Sequence, residues 1–176
     1  MKTIHQWFDE YGESHQNKTN KIIHWFCVPL IFWSIIALLA CLPSNHMKFT
    51  GLTFLDACLH WGTAVIALGL LFYLRLSFKI FLGMLVFSFY ILIDVYFTVY
   101  FFDAHKFWGI LGFMNGTGED FLLYSAIVVF VIAWVLQFIG HKIEGKKPSF
   151  FKDIQFLLIG PAWLLGFLLK KMGIKY

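Results

Sequence analysis

Charged residues are scarce in this sequence. Asp, Glu, Lys and Arg make up 14% of its 176 residues, whereas a soluble domain usually carries about 25%. Hydrophobic residues account for 60% of the chain. The polar side chains are too few to cover a water-soluble globule, so the composition predicts an integral membrane protein.

Several other features are also missing. The net charge is only +4 and no block of basic residues is present, so a nucleic-acid partner is not expected. The first 20 residues are polar and lack the short apolar core of a cleavable signal peptide, so no cleaved leader is expected. Cys27, Cys41 and Cys58 lie in or beside apolar runs without the spacing of a metal site, which indicates small buried hydrophobic side chains.

Long apolar runs fill most of the chain. Four of them are near the roughly 20 residues that cross a bilayer core, and a fifth, shorter run carries Gly160-Pro161 in its middle. We predict spans at about 22–42, 55–74, 80–102 and 121–140, and a re-entrant or interfacial helix at 154–169. The expected fold is one all-α membrane domain over residues 1–176, a four-span helical bundle plus the fifth short helix. Thr19 or Asn20 is expected to cap the first span, and Pro29 to kink it.

The basic residues predict the orientation. With four crossings and a cytoplasmic N-terminus, 12 of the 14 Lys and Arg residues lie in the cytoplasm, and only Lys48 and Lys106 lie outside. A fifth crossing would change this division to 9 against 5. Both termini are therefore expected in the cytoplasm. The membrane would be the inner or cytoplasmic membrane of a bacterium, or the endoplasmic reticulum of a eukaryote.

A polar stripe lies at the cytoplasmic end of the fourth predicted span. Gln137, His141 and Glu144 are spaced i, i+4 and i+7, which places them on one face of a helix. Gly145 follows as a natural C-cap. Polar groups at membrane depth are costly and are often functional, so this stripe is a candidate part of a site.

A second polar cluster surrounds the start of the first predicted span. Asn20 and His24 share a helix face, but His15 and His24 are nine residues apart and would lie on opposite faces of an unbroken helix. Both histidines can face one ion only if the chain breaks between them, and residues 17–20 are the expected break. One histidine alone would most simply be a hydrogen-bonded interfacial residue. Three histidines and a glutamate on one membrane face favour a metal site.

The ligand types leave three classes of function open. Imidazole and carboxylate suit iron, zinc or manganese, and two histidines with one carboxylate suit Fe(II) and dioxygen. The candidates are an iron-dependent lipid oxygenase, another metal-dependent lipid enzyme of the zinc hydrolase type, and a non-enzymatic lipid-binding or transport protein. The non-enzymatic class would predict a water path lined by Asp94 and His60. Asp94 lies about 21 Å from the cytoplasmic end of its helix by helical rise, so a buried hydrogen bond is its simpler role, with His60 as the candidate partner.

Residues from both clusters form a longer pattern. Its elements are Tyr11-x-x-x-His15, Asn20-x-x-x-His24, Pro29 and Gln137-Phe-Ile-Gly-His141-x-x-Glu144-x-x-x-Pro148. This pattern resembles that of the membrane-embedded 2-hydroxy fatty acid dioxygenases, a widespread family of small proteins long known only as a domain of unknown function. The resemblance covers nearly the whole chain, with its specific motifs at the two ends.

The resemblance implies an iron-dependent α-oxidation. The substrates would be a 2-hydroxy fatty acid and dioxygen, the product a fatty acid one carbon shorter, and the cofactor Fe(2+). His24 and His141 would be metal ligands, together with His15. Glu144 would be either the carboxylate ligand or a partner that fixes His141, and His24, His141 and Glu144 would form the catalytic set.

The resemblance also implies how the substrate is held. Asn20 and Gln137 would bind ligands or substrate by hydrogen bonds, and Lys21 or Lys142 would meet the substrate carboxylate. The acyl tail would lie among the apolar spans and would enter laterally from the membrane lipid. The metal site would be on the cytoplasmic side. The sequence identifies no protein partner.

Overall fold

The structure is a computed structural model that describes residues 2–44, 50, 52–104, 116–145 and 150–176, with residues 53, 103, 104 and 150–155 described by their backbone alone. Within these ranges the chain forms seven helices and no strands, which confirms the all-α prediction. The helices are α1 (Ile4–Gly12), α2 (Lys18–Ala40), α3 (Thr53–Cys58), α4 (Trp61–Leu76), α5 (Phe78–Ala104), α6 (Gly118–Glu144) and α7 (Phe150–Lys171).

Three helices in the described part of the chain are long and apolar enough to cross a membrane. They are α2, α5 and α6. Helices α5 and α6 contain the whole predicted spans 80–102 and 121–140, and α2 contains all but the last two residues of the predicted span 22–42. Large apolar side chains such as Phe26, Leu68 and Val86 are each about 70% exposed on the outside of the helices. Because such side chains are favourable against lipid rather than water, both features fit a membrane protein.

The predicted span at 55–74 is not one continuous helix. It is divided between α3 and α4, and Leu59 and His60 between them have extended backbones. The start of α4 is packed closely, because a Cβ at Gly62 would lie 2.9 Å from the Ile36 carbonyl oxygen on α2. The longer helix of this region, α4, begins later than predicted, at Trp61, and a crossing at about 55–74 stays a prediction.

Helices α2 and α6 form the most extensive helix pair. Small buried residues lie where they meet, including Cys27, Ala126 and Ala133. Small side chains let helix backbones approach closely, which is the usual basis of helix association in membranes. This pairing brings the start of α2 and the end of α6 together, and these two ends carry the predicted polar clusters.

Helix α7 covers a longer range than the predicted 154–169 and packs against α1, α2 and α5. The Tyr73 hydroxyl on α4 donates to the Leu158 carbonyl at 2.5 Å. Just beyond α7, the Lys175 carbonyl accepts a hydrogen bond from Lys79 near the start of α5. The start of α5 and the end of α6 are predicted to lie on one membrane face, so a re-entrant or interfacial helix stays the prediction for α7.

Asp94 has a different partner from the one expected. The indole Nε1 of Trp33 donates to Asp94 Oδ2 at 2.7 Å, which joins α2 to α5. His60 is buried, and neither of its ring nitrogens has a hydrogen-bond partner among the described residues. Asp94 therefore makes a hydrogen bond, as predicted, but this bond is only partly buried and its partner is Trp33 rather than His60.

Candidate metal centre

The loop between α1 and α2 separates the first two histidines. Helix α1 ends at Gly12, and α2 begins at Lys18 with Asn17 as its N-cap. Asn17 Oδ1 accepts from the backbone amides of Thr19 (2.9 Å) and Asn20 (3.4 Å). The helix break is therefore real but lies at 13–17 rather than 17–20, and the cap is Asn17 rather than Thr19 or Asn20. An asparagine at this position satisfies amides that would otherwise have no acceptor.

Three histidines meet at this place. One ring nitrogen each from His15, His24 and His141 lies within 4.8 Å of the others. The ring centroids are 4.2 Å apart for His15 and His24, 5.0 Å for His24 and His141, and 5.5 Å for His15 and His141. His15 and His24 are almost fully buried. The structure thus brings together residues from both predicted clusters, more than 100 positions apart in the sequence.

Backbone carbonyls fix the tautomers of two of these rings. His15 Nδ1 lies 2.6 Å from the Tyr11 carbonyl oxygen, and His24 Nδ1 lies 2.9 Å from the Asn20 carbonyl oxygen. Because a carbonyl can only accept, each Nδ1 carries the proton and each Nε2 carries the lone pair. Nε2 of His15 is buried and has no hydrogen-bond partner among the described residues. A lone pair held in this way is the arrangement found in histidines that bind metals.

His15 is also held in its neutral form. Burial lowers the pKa of His15 to about 4, and the nearby His141 opposes protonation further. The Tyr11 ring stacks on the His15 ring at 4.1 Å, and the Trp163 ring on α7 lies 5.9 Å from it. Neutral imidazole is the form that binds metal ions, so the surroundings of His15 suit a ligand at neutral pH.

Glu144 holds the histidine loop in place. Its Oε1 accepts from the Gln16 amide at 2.8 Å, and its Oε2 accepts from the Asn17 amide at 2.9 Å and from Asn20 Nδ2 at 3.0 Å. Asn20 Nδ2 also donates to the Ser14 carbonyl at 3.1 Å. Both Glu144 oxygens therefore point to donors of the loop. Glu144 is one helical turn from His141, so it connects the two halves of the cluster.

Gly140 lets α6 approach α2 at the level of the cluster. A Cβ at this position would overlap Asn20 Oδ1 and would lie 3.5 Å from the Ile23 side chain. Asn20 is fully buried between the helices. Any residue larger than glycine would force Asn20 or the two helices to shift. Gly140 is therefore part of the site, although the sequence only showed it as an unassigned position of the motif.

The other predicted site residues, Gln137, Lys21 and Lys142, differ in how far they are buried. Gln137 is buried one turn before His141 on α6. Lys21 is half-buried on the first turn of α2, whereas Lys142 is exposed. The structure adds Trp163, whose ring is 5.3 Å from that of Tyr11. No sequence signal marked Trp163, because an apolar run does not show which of its aromatic residues faces a site.

The helices and the histidine cluster define a class: an all-helical protein with membrane-type helices and a candidate metal centre. Comparison with protein families identifies the class more narrowly. Residues 1–172 match the family described as Mpo1-like, 2-hydroxy-palmitic acid dioxygenase Mpo1-like. The chain belongs to this family, and the match includes every predicted site residue. No curated protein and no solved structure matches the chain.

Proposed function

We propose that this chain is an Fe(II)-dependent dioxygenase that converts a 2-hydroxy fatty acid into a fatty acid one carbon shorter. The family description supports the hydroxy acid and the dioxygenase chemistry. The observation that carries the metal is the convergence of His15, His24 and His141. In the balanced reaction, the C1–C2 bond breaks, C2 becomes the new carboxyl carbon, and C1 leaves as carbon dioxide. Both carbons are oxidised, and dioxygen takes up their electrons, with one water formed.

The donor set fits Fe(II). His15, His24 and His141 would hold it through imidazole nitrogens, and three protein ligands leave coordination positions open. When bound, Fe(II) supplies the redox chemistry with dioxygen and open positions for the hydroxyl and carboxylate oxygens of the substrate. Three histidines also suit Zn²⁺ with bound water, so a zinc-dependent lipid hydrolase is the second candidate.

The surrounding residues position this centre. The Tyr11 and Asn20 carbonyls hold the protons on Nδ1 of His15 and His24, so Nε2 of each ring stays available. Glu144 and Asn20 fix the loop that carries His15. The rings of Tyr11 and Trp163 cover His15 and exclude water from that side. Exclusion of water strengthens the electrostatic interactions within a site and limits side reactions.

The substrate would bind from the membrane. Lys21 lies half-buried on the first turn of α2, and its charge opposes protonation of His15, so it would meet the carboxylate of the hydroxy acid. The distribution of basic residues supports a cytoplasmic position for the site. The acyl tail would then extend from this face into the apolar part of the helix bundle.

The direct test is oxygen uptake by protein purified in detergent without air and loaded with either Fe(II) or Zn(II). With Fe(II), we expect one dioxygen consumed for each 2-hydroxy acid lost, and mass spectrometry should detect the acid one carbon shorter. The unhydroxylated acid of equal length should be inert, because it lacks the hydroxyl ligand. His141→Ala should abolish turnover, whereas His5→Ala, an exposed histidine stacked on Tyr176, should keep it. Ester hydrolysis with Zn(II) and no oxygen uptake with Fe(II) would favour the second candidate.

A further inference from the structure

An apolar cavity lies between α2, α5 and α7. Its volume is about 160 Å³, and all the residues that line it are apolar or aromatic. Trp25 and Pro29 contribute from α2, Gly83 and Phe87 from α5, and Leu165 and Leu168 from α7. The cavity contains none of the polar side chains that a small hydrophilic ligand would need.

Along α2 and α7, the cavity begins at the level of the histidine cluster. Trp25 directly follows His24, and Leu164, which also lines the cavity, directly follows Trp163 beside His15. Pro29 is four residues beyond Trp25, which corresponds to about 6 Å along the axis of α2. The cavity therefore extends from the level of the cluster toward the interior of the helix bundle.

A cation lies on α2 one helical turn before the first residue that lines this cavity. Lys21, Trp25 and Pro29 are spaced four residues apart, so they follow one face of α2. Lys21 is half-buried on the first turn, and the two following residues line the cavity. A ligand along this face would meet a positive charge and then an apolar volume. This order matches a long-chain carboxylate, whose charge is at one end.

The cavity also reaches the outside of the bundle. Leu168 is 44% exposed, and the Trp25 ring packs edge-on against Phe167, which is 53% exposed. Both residues lie where the helices would contact lipid. An acyl chain could thus enter from the side without passing through water.

We propose that this cavity binds the acyl chain of the 2-hydroxy fatty acid, and that the contact between Gly83 and Leu165 sets the length of chain that fits. This inference rests on the proposed function. The tail of a bilayer phospholipid would suit the same apolar lining. The half-buried Lys21 lies only one helical turn before the cavity, which favours a carboxylate attached directly to the acyl chain. In a phospholipid, ester and glycerol groups separate the anionic phosphate from the acyl tails.

Gly83 is the position that controls the width of the cavity. A Cβ there would overlap Leu165 Cδ2 and would lie 2.9 Å from Leu165 Cδ1. These atoms are the far end of a flexible side chain, so Leu165 can move. Because Leu165 also lines the cavity, we expect its displaced side chain to occupy part of the cavity volume. Gly83→Ala should therefore shorten the preferred chain, and Leu165→Ala should lengthen it.

Photo-crosslinking tests the occupant without turnover. The probe is a 2-hydroxy fatty acid with a diazirine near the end of its tail, added to the full protein in nanodiscs under anaerobic conditions. We expect labelling of the cavity residues on α5 and α7, and its loss when unlabelled 2-hydroxy acid competes. A phospholipid with the same diazirine should not label them. Equal labelling of the cavity by the phospholipid, or labelling only of outward-facing residues, would overturn the proposal.

Binding of short and long 2-hydroxy acids tests the control of length. Gly83→Ala should lose about tenfold in affinity for the long acid relative to the short one, if overpacking costs about as much here as in a protein core. Leu165→Ala should change the ratio in the opposite direction. Gly69→Ala is the matched control, because its Cβ would make only an ordinary 3.6 Å contact with Leu158. Equal effects on both acids in both cavity variants would contradict the proposal.

The two proposals fail in different ways. Crosslinking and binding need neither oxygen nor turnover, so cavity labelling together with absent oxygen uptake would refute the dioxygenase and support the acyl site. Oxygen uptake together with labelling outside the cavity would support the dioxygenase and refute the acyl site.

Discussion

The side-chain amide of Asn20 donates a hydrogen bond to the Glu144 carboxylate at 3.0 Å, across 124 residues of sequence. Glu144 also accepts from the amides of Gln16 and Asn17 in the loop that carries His15. Hydrogen bonds to a charged carboxylate are stronger than those between neutral groups. The end of α6 and the histidine loop therefore form one unit, and this unit sets the distance between His15 and His141.

The first prediction concerns Glu144. Glu144→Gln replaces one acceptor oxygen by an amide donor that faces loop donors, so the loop should loosen. Residues that support metal ligands typically affect metal affinity by about 10–100-fold, and we expect a loss in this range with full occupancy at saturating metal. Metal titration of the purified wild-type and variant proteins measures this loss of metal affinity. Glu119→Gln, an exposed carboxylate at the other end of α6, is the control. If Glu144→Gln binds no metal even at saturating metal concentration, Glu144 is itself a metal ligand rather than a residue that positions the loop.

The second prediction concerns Gly140. Gly140→Ala would place a methyl group against Asn20 and force α2 and α6 apart. Overpacking of this kind costs about 1–3 kcal/mol of unfolding free energy. The midpoint of thermal unfolding in detergent should fall, and metal affinity should fall with it because Asn20 loses its position. Gly69→Ala, which has ordinary contact distances, should have a smaller effect. Equal midpoints for wild type and Gly140→Ala would show that the close approach has no energetic importance.

The third prediction concerns the hydrogen bond from Trp33 to Asp94. Trp33→Phe removes the donor to the partly buried Asp94 carboxylate. Loss of a partner to a buried polar group costs about 1–3 kcal/mol, so we expect the lower end of this range. In a double-mutant cycle, Trp33→Phe with Asp94→Leu should destabilise the protein by less than the sum of the single changes. Trp33 is about 14 Å beyond His24 along α2, so metal content should not change in any variant. Additive unfolding energies would mean that the two side chains do not interact.

Sequence patterns predicted the helices because a membrane crossing requires a long apolar run, and three such runs became α2, α5 and α6. The i, i+4, i+7 stripe on α6 was equally direct, since helix geometry alone puts Gln137, His141 and Glu144 on one face. The break between His15 and His24 also followed from geometry, because nine residues of continuous helix cannot turn both rings to one point.

These sequence patterns did not predict contacts between helices that are distant in the sequence. Asp94 was assigned to the wrong partner because depth in the membrane does not distinguish between neighbouring helices, and Trp33 was in fact the donor. The start of α4 lies close to the Ile36 carbonyl on α2. Trp163 reached His15 only through the path of α7. Each of these contacts joins two separate segments of the chain, and the number of residues between two segments in the sequence does not predict their distance in the structure.

The central claim is that His15, His24 and His141 hold one metal ion, and metal content per chain tests it most directly. Protein would be purified in detergent without air and analysed by elemental mass spectrometry, before and after loading with Fe(II). We predict about one iron per chain in the wild type and in His5→Ala, and loss of iron in His15→Ala, His24→Ala and His141→Ala, each with helical content retained. Wild-type protein that binds no metal after loading, or cluster variants that keep full iron, would contradict the account.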